Sequence, residues 1–275
     1  MELHGKVALV TGGAVRVGKA IAVALARSGA DIAFSYHTSG DAARETQQEV
    51  ESLGRRVLAR QADAASVSEC RQLVDAAVEH FGRLDVLVNS ASLWKRTKFA
   101  ELKEEDWNQV TDIMLKGAAF TSHAAAPHLA AHGDGAIVNI VDLSAFVPFP
   151  NLTVHSVGKA GLLNLTYGMA MELAPAVRVN AVAPGLVLPP PTYTEKQIRA
   201  AATRNLLGRW GSAEDVANAV LFLVQADFIT GTVVVMVRLN ALLSAIVLAV
   251  FSGMAFVIRY SGRKSHQYFS QQQRH

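Results

Sequence analysis

The stretch Thr11-Gly12-Gly13-Ala14-Val15-Arg16-Val17-Gly18 joins an apolar run, Val7–Val10, to a helix-patterned segment, Ala20–Ala26. A strand that feeds a glycine-rich turn and then a helix aims backbone N–H groups and the positive end of the helix dipole at one spot. That arrangement suits a pyrophosphate, so the chain opens like a nucleotide-binding unit. Glycines also end many ordinary strands, and it is the position between strand and helix that gives this turn its weight.

Further strand-like runs follow at Asp31–Ser35, Arg56–Arg60, Leu84–Val88, Gly135–Ile140, Val177–Ala183 and Thr232–Val237, separated mostly by segments of helical periodicity. Regular alternation of this kind predicts an α/β fold of the doubly wound, Rossmann type: a mainly parallel seven-stranded sheet with helices on both faces. One large domain over residues 1–237 accounts for the pattern. Right-handed crossovers line up the carboxyl ends of the strands along one edge, where ligands of such sheets bind. The positions to inspect are therefore Thr11, Ser35 to His37, Ala62-Asp63, Asn89 to Ala91, Val141-Asp142 and Pro184-Gly185. The proline-rich stretch Leu188 to Tyr193, ahead of a short helical segment at Glu195–Asn205, reads either as a lid or as a rigid surface loop.

Charge narrows the partners. The formal net charge is +3, yet residues 238–275 carry five of the 26 basic residues and no acid, which leaves 21 against 23 in the preceding chain. The domain is thus mildly acidic and offers no basic face for nucleic acid. Cys70 is the single cysteine, so no disulfide forms within the chain, and its helical setting, Ser66 to His80, fits a buried thiol in a reducing compartment. No secretory signal is visible at the start, and a cytoplasmic location is expected.

Taken in order, the motifs at the strand ends resemble the short-chain dehydrogenase/reductase family over roughly residues 5–235. The pieces are Thr11-Gly12 through Gly18, Asp63, Asn89-Ser90-Ala91-Ser92, Asp142, Lys159, and Asn180 through Pro184-Gly185. The resemblance implies a nicotinamide cofactor held by Gly12, Arg16, Val17 and Gly18 of the turn, by Asp63 and Ala64 beside adenine, and by Asn89, Ala91 and Ser92 along the adenosine and ribose. It adds Pro184 and Gly185 at the carboxamide and Lys159 at the nicotinamide ribose. No acid stands at the end of the second strand, where His37, Thr38 and Ser39 offer donors to a 2′-phosphate and Arg16 a guanidinium fork, so NADP(H) is expected. A metal is not expected.

Two details are similar to the pteridine reductase branch: Arg16 replaces the second glycine of the turn, and Asp142 takes the place of the usual catalytic serine. Trp94 falls where that branch stacks an aromatic ring on a flat pterin. Arg16, Trp94 and Asp142 are the expected substrate contacts. Reductases of 3-oxoacyl thioesters share the scaffold and stay in competition.

Two positions depart from the family pattern. Counting back four residues from Lys159, the proton-donating tyrosine is replaced by His155; counting thirteen back from there reaches Asp142, which confirms the register. Met114 occupies the place of an asparagine that holds a relay water, a task no thioether can perform. Asp142, His155 and Lys159 are the candidate catalytic residues, with His155 protonating the developing anion and Asp142 orienting the imidazole. The expected activity is reduction of a C=O or C=N group of a small substrate by NADPH; the alternative is a non-catalytic NADP-binding protein on the same scaffold.

Beyond Val237 the resemblance stops. Residues 238–261 form an apolar segment whose uncharged part, Ala241 to Ile258, spans about 27 Å as a helix, marginally enough for a bilayer. The basic residues Arg259, Arg263 and Lys264 that follow would keep that end cytosolic, on the same side as the domain. An apolar helix packed on the domain or in a subunit interface is favoured over membrane attachment. Residues 262–275 read as a disordered polar tail. Assembly as a homodimer or homotetramer, through helices such as Glu104–Ala131 and Thr153–Leu173, is implied by the resemblance alone.

Overall fold

The computed structural model describes residues 1–189, 193–203, 205 and 207–235. Strand β1 (Val7–Thr11) leads into α1 (Arg16–Arg27), β2 (Asp31–Tyr36), α2 (Gly40–Ser52), β3 (Val57–Gln61), α3 (Val67–Phe81) and β4 (Val86–Asn89). The chain continues through α4 (Glu104–Thr111), α5 (Gly117–Ala130), β5 (Gly135–Ile140), α6 (Thr153–Leu173), β6 (Val177–Ala183), α7 (Glu195–Ala202), α8 (Ala213–Gln225) and β7 (Val233–Val235). The strands lie in the order β3-β2-β1-β4-β5-β6-β7, and every recorded pairing is parallel. Six of them run four residues or more; β7 is a three-residue edge piece. The order reverses between β1 and β4, and there the carboxyl ends open a crevice.

Both faces of the sheet are dry because successive residues of each strand point to opposite sides. Ala8, Val10, Phe34 and Val88 pack under Ile21 and Leu25 of α1 and Val216 and Val220 of α8. Val7, Leu9, Leu87 and Ile137 pack under Leu73 and Val74 of α3 and Leu129 of α5. Local chemistry sets the helix ends: Ser66 Oγ accepts from Glu69 N at the start of α3, Gly82 closes that helix at φ 78°, and Ser212 and Asp215 form a capping box at α8. At the amino edge, Asp85 is buried and accepts from Val7 N (2.9 Å) and from Arg83 Nε and Nη2 (2.8 and 2.6 Å).

The expected continuous helix over 104–131 is interrupted. A π-type turn at Asp112–Lys116 separates α4 from α5, with Met114 buried in it. Immediately after it, a side chain on Gly117 would come within 2.3 Å of Ala64 O, so the helix passes very close to the β3–α3 loop and the wider turn accommodates that approach. The apolar C-terminal segment 238–261, its proposed helix and the polar tail 262–275 lie outside the described residues. Among the described residues, no helix is long and apolar enough to cross a membrane.

Candidate active site

The turn between β1 and α1 is tight because its glycines admit no side chain. Gly12 sits at φ 65°, where a Cβ would press to 3.1 Å from Ala91 Cα, and a Cβ on Gly18 would lie 2.1 Å from Gly12 O. Helix α1 starts without a capping side chain and without an acid in its first turn, so the N–H groups of that turn have no carboxylate competing for them. Thr11 Oγ1 accepts from Ser90 N and Ala91 N (3.0 and 3.1 Å), which ties the end of β4 to the end of β1. The sequence marks Thr11 as a strand end on the binding edge, and the structure gives it this tying role.

A cleft of about 560 Å³ runs along this edge of the sheet. Gly12, Arg16, Val17 and Gly18 line it at the turn, and His37 and Thr38 at the end of β2. Asp63 and Ala64 follow β3, Ala91 and Ser92 follow β4, and Trp94, Asp142, His155 and Lys159 close the far end. Four expected residues are not on its wall. Ser39 stands at the N-cap of α2. Pro184 and Gly185 follow β6 on the same edge, where Leu186 to Leu188 line a second cleft instead. Asn89 is buried, its Nδ2 donating to Ser122 Oγ (2.9 Å) and Asn139 Oδ1 (2.8 Å). The Nδ2 end of this amide is thus drawn into a polar chain that continues from Asn139 Nδ2 to Thr166 Oγ1, while its Oδ1 is buried without a hydrogen-bond partner among the described residues.

Asp63 binds its own loop, accepting from Ala65 N at 2.9 Å. Arg16 adopts φ 53°, in the left-handed region, and its Nη2 donates to Leu188 O at 3.2 Å. The guanidinium thus bridges the glycine turn and the loop after β6, a contact that no local pattern foretells.

At the far end of the cleft, His155 Nε2 donates to Asp142 Oδ2 at 2.7 Å and Nδ1 to Leu93 O at 3.2 Å. Both partners present oxygens, so each ring nitrogen has a protein oxygen within hydrogen-bond reach and the imidazole is held in one orientation. The other oxygen of Asp142 accepts from Ser144 N (2.8 Å) and Ser144 Oγ (2.5 Å). Burial would raise the Asp142 pKa, but the His155 hydrogen bond, the Lys159 charge and Ser144 outweigh it and hold the carboxyl below its usual range. Lys159 is buried, donates to Ile140 O (2.8 Å), and has its pKa lowered by desolvation against the opposing pull of Asp142. Ser144 and the Leu93 carbonyl were missed by sequence reasoning, since a short hydroxyl and a backbone oxygen carry no distinctive pattern.

Trp94 stands edge-on to His155, ring centroids 4.9 Å apart at 69°, and is 55% exposed. Met114 is buried, and its sulfur accepts from Ser92 Oγ at 3.2 Å, so a thioether fills the expected asparagine place.

Residues 13–237 match the family described as enoyl-(acyl carrier protein) reductase. An uncharacterized oxidoreductase of Methylorubrum extorquens is 37% identical over 242 residues, covering 85% of this chain and 96% of its own. A 3-oxoacyl-[acyl-carrier-protein] reductase of Thermotoga maritima is 34% identical over 243 residues, covering 85% and 97%. The crystal structure of a short chain dehydrogenase from Burkholderia cenocepacia in complex with NADP superposes with a TM-score of 0.81 at 35% identity, covering 86% of this chain and 98% of that one. With a match over residues 13–237, relatives above 30% identity along most of their length and a shared fold, the chain belongs to the short-chain dehydrogenase/reductase family.

Proposed function

We propose that the protein is an NADP(H)-dependent oxidoreductase that reduces a C=O or C=N group of a small substrate. One observation carries this reading: a single cleft brings the open start of α1, the acid-free end of β2 and the Asp142–His155–Lys159 cluster onto one continuous wall. The cofactor fits the residues present. The glycine turn has no room for side chains beside the unclaimed N–H groups of α1, and His37 and Thr38 meet a 2′-phosphate without a carboxylate to repel it. Asp41, in the first turn of α2, is paired with Arg44. When bound, reduced nicotinamide supplies the hydride.

The chain's own residues handle the proton and the charge. The proton on His155 Nε2, shared with Asp142 Oδ2, passes to the substrate oxygen or nitrogen as negative charge builds there. Asp142 remains as a fixed carboxylate, held in place by Ser144 and favoured in its ionised form by the charge of Lys159. Trp94 offers a half-exposed ring face to a flat substrate, which favours a pterin-like or aromatic carbonyl compound. The thioester reductases among its relatives make a 3-oxoacyl substrate the competing class.

A second reading has its own support. Both nitrogens of His155 are committed to protein acceptors and the ring is 2% exposed, while Met114 cannot hold a relay water. These features suit an NADP-binding protein that has lost proton transfer. The two separate in one experiment: NADPH and NADH oxidation followed side by side with pterins, 3-oxoacyl thioesters, simple ketones and cyclic imines. Substrate-dependent oxidation, faster with NADPH, is expected. Tight NADPH binding with no turnover on any substrate would select the second reading.

A further inference from the structure

A second cleft, of about 800 Å³, adjoins the first, and Arg16 and Trp94 line both. Among the described residues, three that are not glycine adopt left-handed backbone: Arg16 (φ 53°), Asn151 (φ 61°) and Leu188 (φ 53°). All three line this second cleft. Such strain persists only where surrounding structure enforces it, and it gathers at ligand sites.

The walls are apolar and aromatic. Trp210 is fixed by its Nε1 donating to Ile198 O (2.9 Å) and stands edge-on to Tyr193, ring centroids 6.4 Å apart. Phe149 and Leu152 line the side formed by the loop before α6. Among the described residues, no acidic side chain lines the cleft, whereas two arginines do. Arg16 is bonded to Leu188 O. Arg96 differs from its neighbours: Lys95 pairs with Asp106 and Lys98 with Glu101, but Arg96 has no ion pair or hydrogen bond among the described residues.

Resting on the oxidoreductase reading above, we infer that this second cleft holds the non-reacting part of the substrate, an aromatic body bearing an oxyanion, carboxylate or phosphate, bound by Arg96. A guanidinium matches either oxyanion with two parallel N–H groups, and the apolar wall beside it takes the aromatic body. Arg96 is then a specificity-determining residue. The carbonyl or imine end would reach past Trp94 toward Asp142.

Calorimetry on the full chain saturated with NADP⁺ tests this with ligands that cannot be reduced: naphthalene-2-carboxylate, naphthyl-2-phosphate and methyl naphthalene-2-carboxylate. The acid and the phosphate should each bind about tenfold or more tightly than the ester. Arg96→Ala should bring those ratios to about one, and Arg96→Lys should keep part of them, with thermal melting confirming that both variants fold. Equal binding of acid, phosphate and ester to the wild type would overturn the inference, as would an Arg96→Ala variant that weakens all three alike. Preference for the phosphate alone would identify it as the oxyanion source. Because these ligands report binding alone, selective binding with no turnover in the substrate panel would sink the enzymatic reading and leave the subsite standing.

Discussion

His155 stands where the family places a phenol, and its surroundings explain how an imidazole is tolerated there. The carboxylate of Asp142 and the carbonyl of Leu93 stand against its two ring nitrogens, so the ring is fixed between two protein oxygens. That arrangement orients the proton but also ties it down. Replacing His155 with tyrosine, together with Met114→Asn, should release the constraint and raise kcat by about a hundredfold, the lower range for a positioned general acid. Steady-state NADPH oxidation on the best substrate of the panel checks it, and an unchanged kcat would mean that proton transfer does not limit this protein. Arg16 makes a comparable compromise between backbone and side chain. Arg16→Gly removes a left-handed arginine but also the bond to Leu188 O, so KM for substrate should rise severalfold while stability changes by less than about 1 kcal/mol.

The elements contribute their termini more than their lengths. The glycine turn works because α1 begins close against β1: a methyl group on Gly18 would collide with Gly12 O. Gly18→Ala should therefore abolish measurable NADPH binding in a fluorescence titration, and retention of wild-type affinity would show that the turn relaxes freely. At the opposite edge, Asp85 joins β1 to β4 through Val7 N and is clamped by Arg83, with Lys6 at 3.5 Å. Burial pushes the Asp85 pKa up, but the Arg83 hydrogen bond, the Val7 N–H and the charges of Arg83 and Lys6 override it and leave it below the ordinary carboxylate value. With its folded pKa depressed, Asp85 contributes stability above about pH 4 that is lost as pH falls through the folded value. Asp85→Asn should cost about 2–3 kcal/mol at pH 7 in urea denaturation, and the gap to wild type should narrow on acidification below about pH 4. A gap that stays constant down to pH 3 would contradict this account.

At the scale of the molecule, ligand binding and folding are linked, because the cleft wall is assembled from segments that meet only in the folded sheet. NADPH at a hundred times its dissociation constant should stabilise the fold by about 2.7 kcal/mol and raise Tm by roughly 5–10 °C. Scanning calorimetry with NADPH and NADH at equal concentration checks it, and an equal shift from both would argue against the phosphate preference. Much of this architecture was legible in the chain. The apolar runs foretold the strands to within about two residues at most ends, and α6 begins and ends at the expected Thr153 and Leu173. Alternating burial needs only nearest-neighbour geometry, so periodicity reveals it. The spacing of Asp142, His155 and Lys159 was equally readable, since one helix face and one strand end set it. Other features depend on contacts distant in sequence. The capture of Asn89 Nδ2 in a polar chain, the reach of Arg16 to Leu188 across 172 positions, the second commitment of His155 to Leu93 and the break at Asp112–Lys116 all arise there. Sequence alone thus determined the order of strands and helices and the residues at their ends, because local periodicity and turn chemistry encode them. The tertiary structure alone decided which of those residues face the cleft and which are absorbed by packing, because a polar side chain takes whichever partner the assembled neighbours leave within reach.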